Sequence, residues 1–587
     1  MRYNQFLLND FYKITHLLQY PGNITKLTSY LTPRGSRLKD EGIDEVVFFG
    51  LSGYVQDYVE NGFNENFFDR KWEDIAAEIR EVLVLGLGYP DYLVEKTCEK
   101  LKALHELGYL PVKIAGVPEG TFVPMGVPCV EISSTDDRFP WVGQALEASL
   151  SAAIWHPMVS ATIANKYRNI AREAFVKTVD DGINEQTAMC DFSMRGQESN
   201  ESAVTASAGW LTSMWNSSTV MARSYIKEHY SDNSDDVIVR GLTSTEHSVM
   251  CTHACMDGGC EKPTFEYLFN LYKDVSFAAV SDSYDFWNVL TNILPEFKDV
   301  ITERGKRGKF IGVRHDSADP VEAVCGIPCY KPSEVRIEVV SDLGYKIIRV
   351  EDNEVLHCPS IRIVNDDGTD LVYNFASGVC GEGHDPAGYI PMGPSRWEDK
   401  GMVETMWELF GGTYNTKGYK VLNPGIKAVY GDSITVTRAK QIYERLENKG
   451  FAANNVSLGV GSFSFQCLES SDGNKLMPFT RDTFSIAIKN SYAKYVDENG
   501  NESELLVFKS PKGFDIKKSQ KGLCYVYVDR NAKLAYKDKL FEKELEEQVD
   551  SAFLPYFYNG KSYIYSFNEI RYRVDVQNEH RRLNGND

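Results

Sequence analysis

The chain has no long hydrophobic run. Among its 587 residues no uninterrupted apolar stretch approaches the ~18 needed to cross a bilayer, so no helical membrane span is expected. The opening stretch MRYNQFLLNDFYKITH carries acidic and polar residues and has no apolar h-region, so no secretory signal is expected and a cytoplasmic location is the default. Positive charge is in short supply. Lys plus Arg is 63 against 83 for Asp plus Glu, a net charge of −20, which opposes binding to nucleic acid or to an anionic membrane. Any anionic substrate must meet a local cluster of Arg and Lys. Three motifs are absent as well. There is no G-x-x-x-x-G-K-[ST] phosphate loop, GVGSFS at 459–464 lacks the third glycine of a dinucleotide fingerprint, and without a G-x-S-x-G elbow the stretch TSTEHS does not read as a hydrolase site.

What remains is an ordinary globular composition, 43% apolar and 25% charged. At about 150 residues per domain it holds roughly two to four compact units. The 12 cysteines are scattered, which favours reduced thiols over a disulfide framework. Cys251, His253, Cys255 and Cys260, with His247 one turn earlier, form the densest cluster of metal-ligand types. Their spacing lacks a C-x2-C knuckle, so the better reading is thiols acting as small buried hydrophobes.

Residues 1–150 read as the first part of a β-rich α+β domain, with strands in LPVKIAGVPEG and TFVPMGVPCVEI and helices in FFGLSGYVQDYVENGF and EKLKALHELGY. Residues 151–479 read as an α/β barrel domain. A helix spans 158–177, and the apolar runs SFAAVSDS, KFIGVRHDS, KAVYGDS and NNVSLGVGS alternate with helical segments in FWNVLTNILPEF and AKQIYERLENKG. Between about 326 and 398 the runs EVRIEVV, YKIIRV, SIRIVN and LVYNF predict an antiparallel β insertion. Residues 480–587, with CYVYVDR and SYIYSF as strands, are expected to complete the β-rich domain.

The polar residues locate the chemistry. Asp282, Arg314, Asp316, Asp432 and Ser462 fall at or just past the C-terminal ends of the expected parallel strands, where barrel and open α/β enzymes place their sites. CDFSMRGQESNESAV and RGLTSTEHSVM add an aromatic, an arginine, hydroxyls and a Glu-His pair, which suit a site that stacks a flat ring, grips an anion and uses an imidazole.

In order and spacing, DFYKITHLLQYP, DFSMRGQES, STEHSVM, VSDSYDFW, VRHDSADP, FGGTYNTKGYKVLNP, VYGD, PFTRD and KKSQKG resemble the nicotinamide phosphoribosyltransferase family. The resemblance implies a type II phosphoribosyltransferase fold, an α/β barrel with an accompanying β-rich domain, and a homodimer with shared active sites. It implies transfer of phosphoribosyl from 5-phosphoribosyl-1-pyrophosphate to nicotinamide with Mg²⁺, and ATP as co-substrate. Carried over to this sequence, Phe192 would stack on the pyridine ring, with Tyr12 of the second subunit, beside Asp10, on the other face. Arg195 and Arg314 would hold the phosphate and the amide end, and Asp316 the ribose hydroxyls. Gly431, Asp432, Gly461 and Ser462 would line the ribose phosphate, and Arg34, Arg481 and Lys509 the pyrophosphate or ATP phosphates. His247 would be the residue phosphorylated by ATP, oriented by Glu246 and Asp282.

The pattern also has departures. Ser218 in WNSSTV stands where the family has a carboxylate that accepts the nicotinamide N–H, which relaxes selection against nicotinate, so nicotinate phosphoribosyl transfer is the alternative. His315 replaces a proline, and Ala318, Ser433 and Ser462 replace glycines. A catalytically inactive regulatory relative is a further alternative, against which stands the retention of Glu246, His247, Asp282 and Arg314 together.

Overall fold

The computed structural model describes residues 4–231, 239–341, 344–376, 388–510 and 519–584. The chain divides into two compact units: Met1–Lys166, Ser193–Val239 and Phe465–Asp587 form one, Tyr167–Phe192 and Arg240–Ser464 the other. This division differs from the expected boundaries at 150 and 479. It falls inside the helix Glu147–Thr178, and 193–239, expected with the barrel, groups with the first unit.

In the first unit an antiparallel sheet runs in the order Glu502–Leu506, Ala487–Val496, Ile24–Thr32, Val130–Ser134, Val112–Gly116, Leu554–Tyr558, Lys561–Ser562. The three strands from the N-terminal part lie together in the middle, with two strands from past residue 480 on each side, so the C-terminal residues pair into the N-terminal sheet. From Leu27 to Thr32 every residue is buried. SYIYSF does not form the strand expected of it: beyond the two-residue pairing at Lys561–Ser562 it is irregular, and the longer strand is Leu554–Tyr558.

The second unit is built on parallel strands in the order Met189–Asp191, Val456–Val460, Ile426–Tyr430, Ile311–His315, Phe277–Val280, Thr243–Ser244. The short apolar runs FAAV, IKAVY and VSLGV are almost wholly buried, as expected of strands covered on both faces. The sheet is the curled, open form of the expected barrel. Because every neighbouring pair is parallel, the C-terminal ends of these strands share one edge. FWNVLTNILPEF is helical but changes pitch along its length, passing from Phe286–Asn288 through a π segment, Val289–Ile293, to a 3-10 turn, Leu294–Phe297, where Pro295 supplies no N–H.

The expected insertion is a separate sheet in this unit, ordered Cys329–Tyr330, Ser360–Val364, Asp370–Ala376, Gly388–Gly393, Gly344–Arg349, Val335–Ser341. It is antiparallel except where Cys329–Tyr330 runs parallel to Ser360–Val364. It has its own core of Val335, Ile347, Leu356, Ile361, Ile363, Tyr373 and Tyr389. Its two ends meet at Gly326 and Gly401, where a Cβ on either glycine would lie 2.3 Å from Asp399 O or 2.1 Å from Gly326 N. Both glycines have positive φ, +74° and +78°, so this neck requires them twice over.

Among the described residues no helix is long and apolar enough to cross a membrane.

Candidate active site

Each strand end on the parallel edge delivers a polar group. Asp282 follows Phe277–Val280, Asp316 follows Ile311–His315, Asp432 follows Ile426–Tyr430 and Ser462 follows Val456–Val460, as their sequence positions indicate.

Asp282 is the most enclosed of them, its side chain 3% exposed. Its Oδ2 accepts from the Asp316 N–H at 2.9 Å and the Ser317 hydroxyl at 2.5 Å, and lies 3.5 Å from His315 Nδ1. Its Oδ1 is 3.2 Å from His247 Nε2. Burial by itself would raise its pKa, but His315, the Ser317 hydroxyl and the Asp316 amide together hold the carboxyl well below the usual range. The site therefore contains a fixed anion that faces His247. His247 begins the helix His247–Met256 and is half exposed, which leaves Nδ1 open. Glu246 occupies the N-cap position, and its carboxylate accepts from the Ser248 hydroxyl. Of the two residues expected to orient His247, Asp282 is the one paired with it here.

Arg314 and Asp316 are bound to each other. The guanidinium donates from Nε to Oδ1 at 3.0 Å and from its terminal nitrogen to Oδ2 at 2.5 Å, with both side chains about 15% exposed. The same guanidinium lies 5.5 Å from the centre of the Phe192 ring, a cation–π contact. Phe192 is anchored by its N–H to Val460 O at 2.8 Å. Its ring rests on two glycines. A Cβ at Gly459 would come within 2.4 Å of the ring, and one at Gly431 within 3.1 Å of the ring and 2.9 Å of Asp316 Oδ1. Gly459 is not among the expected site residues, although Gly461 and Ser462 of the same stretch are. A Cβ at Gly461 meets no protein atom within 4 Å.

The glycine replacements separate by backbone. Ala318 at φ +72° and Ser433 at φ +53° hold left-handed conformations despite their Cβ, whereas Ser462 has no positive φ and carries no such strain. The Tyr430 hydroxyl bridges the Ser317 and Ala318 carbonyls at 2.9 and 2.8 Å, tying down the loop that holds Ala318. Asp432 is exposed and accepts from the Ser433 hydroxyl at 2.7 Å.

The remaining expected residues all belong to the first unit. Asp10 precedes the helix Phe11–Gln19, and Tyr12 on its first turn is 58% exposed. Arg34 is half-buried and donates to Ser485 O at 3.2 Å; burial and then the neighbouring Arg481 depress its pKa. Arg481 also acts on Tyr12, so these basic and aromatic groups form one neighbourhood. Arg481 pairs with Asp482 at 2.8 Å, and Lys509 and Arg195 are exposed. Ser218 sits between Asn216–Ser217 and the helix Val220–His229. Of KKSQKG, residues 517 and 518 lie outside the described residues.

The thiols are not the buried hydrophobes expected. Cys251 is half-buried, while Cys255 and Cys260 are exposed. Cys255 Sγ is 3.6 Å from the Tyr284 hydroxyl. Among the described residues no group of three or more His, Cys, Asp or Glu side chains is placed to hold a metal ion.

A curled parallel sheet whose strand-end carboxylates, arginine, histidine and glycine-cradled aromatic share one edge defines a phosphoribosyltransferase-type site. The profile of the nicotinate phosphoribosyltransferase (NAPRTase) family matches residues 187–548, and that of the nicotinamide phosphoribosyltransferase N-terminal domain matches residues 4–89. The nicotinamide phosphoribosyltransferase of Acinetobacter baylyi is 32% identical over 98% of each chain. That of Mycoplasma pneumoniae is 27% identical, covering 78% of this chain and 85% of its own. Human nicotinic acid phosphoribosyltransferase, a solved structure, shares 14% identity over 97% of this chain and 94% of its own, with a TM-score of 0.49. The chain belongs to the nicotinate phosphoribosyltransferase family and is a pentosyltransferase of the nicotinamide phosphoribosyltransferase type.

Proposed function

We propose that this enzyme joins nicotinamide to 5-phosphoribosyl-1-pyrophosphate, giving nicotinamide mononucleotide and pyrophosphate in NAD salvage, and that ATP phosphorylates His247 in support of that step. The observation that carries the reading is the adjacency of the His247–Asp282 pair to the Phe192, Arg314 and Asp316 cradle on a single strand edge. Departure of pyrophosphate builds oxocarbenium character at the anomeric carbon. The pyridine nitrogen is a weak nucleophile, so the protein's task is to hold the ring in line and stabilise the leaving charge. Phe192 supplies a flat face for the ring, and no protein nucleophile on the sugar is needed. Asp316, now satisfied by Arg314, would accept the ribose hydroxyls once the guanidinium turns toward a phosphate or the carboxamide. Asp282 accepts the Nε2 proton of His247, leaving the Nδ1 lone pair as phosphoryl acceptor. Mg²⁺ would act as counter-ion on the substrate phosphates; the described residues do not by themselves form a metal cage.

The active unit is a homodimer in this reading, with Tyr12 of one subunit closing the ring site of the other. The grouping of Tyr12 with Arg34 and Arg481 supports their acting together on one ligand. A second reading, transfer to nicotinate, is favoured by Ser218, whose hydroxyl both donates and accepts.

The test is direct. Purified protein incubated with 5-phosphoribosyl-1-pyrophosphate, Mg²⁺ and either nicotinamide or nicotinate should form nicotinamide mononucleotide faster than the nicotinate product. His247→Ala should abolish ATP hydrolysis and acid-labile protein phosphate while the circular dichroism spectrum is unchanged. Equal phosphate in the variant would reject the role of His247.

A further inference from the structure

We propose that His315 is a positioning residue for His247, acting through the Asp282 carboxylate that the two imidazoles share. The inference deepens the reading of His247 as phosphoryl acceptor and takes its catalytic meaning from it. Asp282 stands between two rings, Oδ1 facing His247 Nε2 at 3.2 Å and Oδ2 facing His315 Nδ1 at 3.5 Å. The two imidazoles differ in freedom. The His247 side chain is 51% exposed and that of His315 is 6% exposed. His315 is also clamped, its ring centre 4.0 Å from Phe286 and 5.8 Å from Tyr430, its Nδ1 3.1 Å from the Ser317 N–H. A proline here, as the family pattern has it, could offer Asp282 no polar group at all.

The chemistry of a shared carboxylate follows. With His315 neutral, its Nδ1 accepts the Ser317 N–H, and the full charge of Asp282 is available to orient His247. With His315 protonated, Nδ1 donates to Oδ2 instead, and the carboxylate is divided between two partners. A protonated His247 would then face a second cation across one anion. His315 thus sets how firmly Asp282 holds the Nε2 proton of His247, and with it how readily the Nδ1 lone pair is presented to a phosphoryl group. The other charged groups around the pair are Asp316 with its Arg314, Asp432 beyond the Tyr430 strand, and Glu261 and Asp285 near Asp282. Glu261 is buried, and desolvation followed by Asp285 and Asp282 pushes it up to about 7, so it titrates in the same range and must be separated.

The experiment follows the imidazole C–H resonances of full-length, histidine-labelled protein against pH without ATP, in a Glu261→Gln background, for His315, His315→Gln and His315→Asn. Gln and Asn keep a polar group but never charge. The His247 curve with His315 present should differ from the curves of both amide variants. An unchanged His247 curve in both amide variants overturns the proposal. Phosphate incorporation from ATP, measured across the same pH range, separates this from the underlying reading. Coupled curves without phosphate on His247 at any pH would uphold the His315–Asp282–His247 link and reject His247 as phosphoryl acceptor. Phosphorylation with one pH profile in all three proteins would uphold the acceptor and reject His315.

Discussion

At the scale of single residues, Gly459 in the strand Val456–Val460 and Gly461 just past it do unlike work. A methyl at Gly459 would drive into the Phe192 ring, and one at Gly461 would point into open space. Gly459→Ala should therefore displace the ring and lower kcat/KM by about 10- to 100-fold, the scale of about 1–3 kcal/mol of overpacking. Gly461→Ala should leave the thermal midpoint within a degree of the parent. Steady-state kinetics and a melting curve on the two variants check the pair. Ser218 carries the specificity question. An ionised Asp there can only accept, pairing with an amide and repelling nicotinate, so Ser218→Asp should shift the kcat/KM ratio toward nicotinamide by about 1–3 kcal/mol. An unchanged ratio would mean that Ser218 does not read the ring substituent. At this scale the sequence was legible where chemistry sits at a strand end, as with Asp282 and Asp316. It was illegible where a role depends on what a backbone touches, as with Gly459, or on a partner distant along the chain, as with the His315 imidazole against Asp282.

Among the elements, the insertion is the most self-contained. Its runs and turns announced it, because alternating apolar residues and a DDG turn with Gly368 at φ +84° are local signals. Its attachment was hidden, because it is made by side chains scattered along the sequence. Arg362 on the strand Ser360–Val364 donates to Asp370 at 2.6 Å and to both oxygens of Glu404 at 2.8 and 2.9 Å, and Lys449 pairs with Glu404 at 2.5 Å. All four side chains are at most 16% exposed. Removing Glu404 would take the carboxylate from Lys449 and leave Arg362 to Asp370, so Glu404→Ala should cost about 3–5 kcal/mol in urea unfolding. The pH dependence has a definite sign. Burial alone would raise the Glu404 pKa, but Lys449 and Arg362 outweigh it, and Asp370 is likewise held low by Ser395 and Arg362 against burial. A carboxyl depressed on folding stabilises fully above its unfolded pKa and loses that contribution as pH falls through the folded one. Stability of the parent should thus fall below about pH 4.5, the ordinary carboxylate range, and more gently in Arg362→Met. Urea midpoints between pH 3 and 7 test this.

For the molecule as a whole, the proposed sharing of sites between subunits predicts complementation. Tyr12 and Arg314 lie in different units of the chain. If Tyr12 serves the neighbouring subunit, then mixing inactive Tyr12→Ala with inactive Arg314→Ala should restore up to about a quarter of the parental activity, since a random mixture is half heterodimer and each heterodimer has one intact site. No recovery from isolated heterodimers would reject the shared site. The order of motifs made the family legible through most of the chain. The division into units was less legible: 193–239 continues straight from a barrel strand yet folds with the first unit, and no composition shift marks that change.

The first unit has a consequence for how the protein is made. The strand Ile24–Thr32 has one neighbour in the N-terminal part, Val130–Ser134, but finds the other only near the far end of the chain, with Asn23 donating to a carbonyl 473 residues away. At ~5–20 residues per second, a ribosome needs roughly half a minute to a minute and a half to deliver that partner after the N-terminal strand has emerged. Through that interval an apolar strand edge waits without its neighbour, while the parallel sheet, encoded between, has everything it needs to fold. The nascent chain should therefore be a client of chaperones that shield exposed edges, and a stop codon placed before Ala487 should yield aggregated product with the N-terminal edge open.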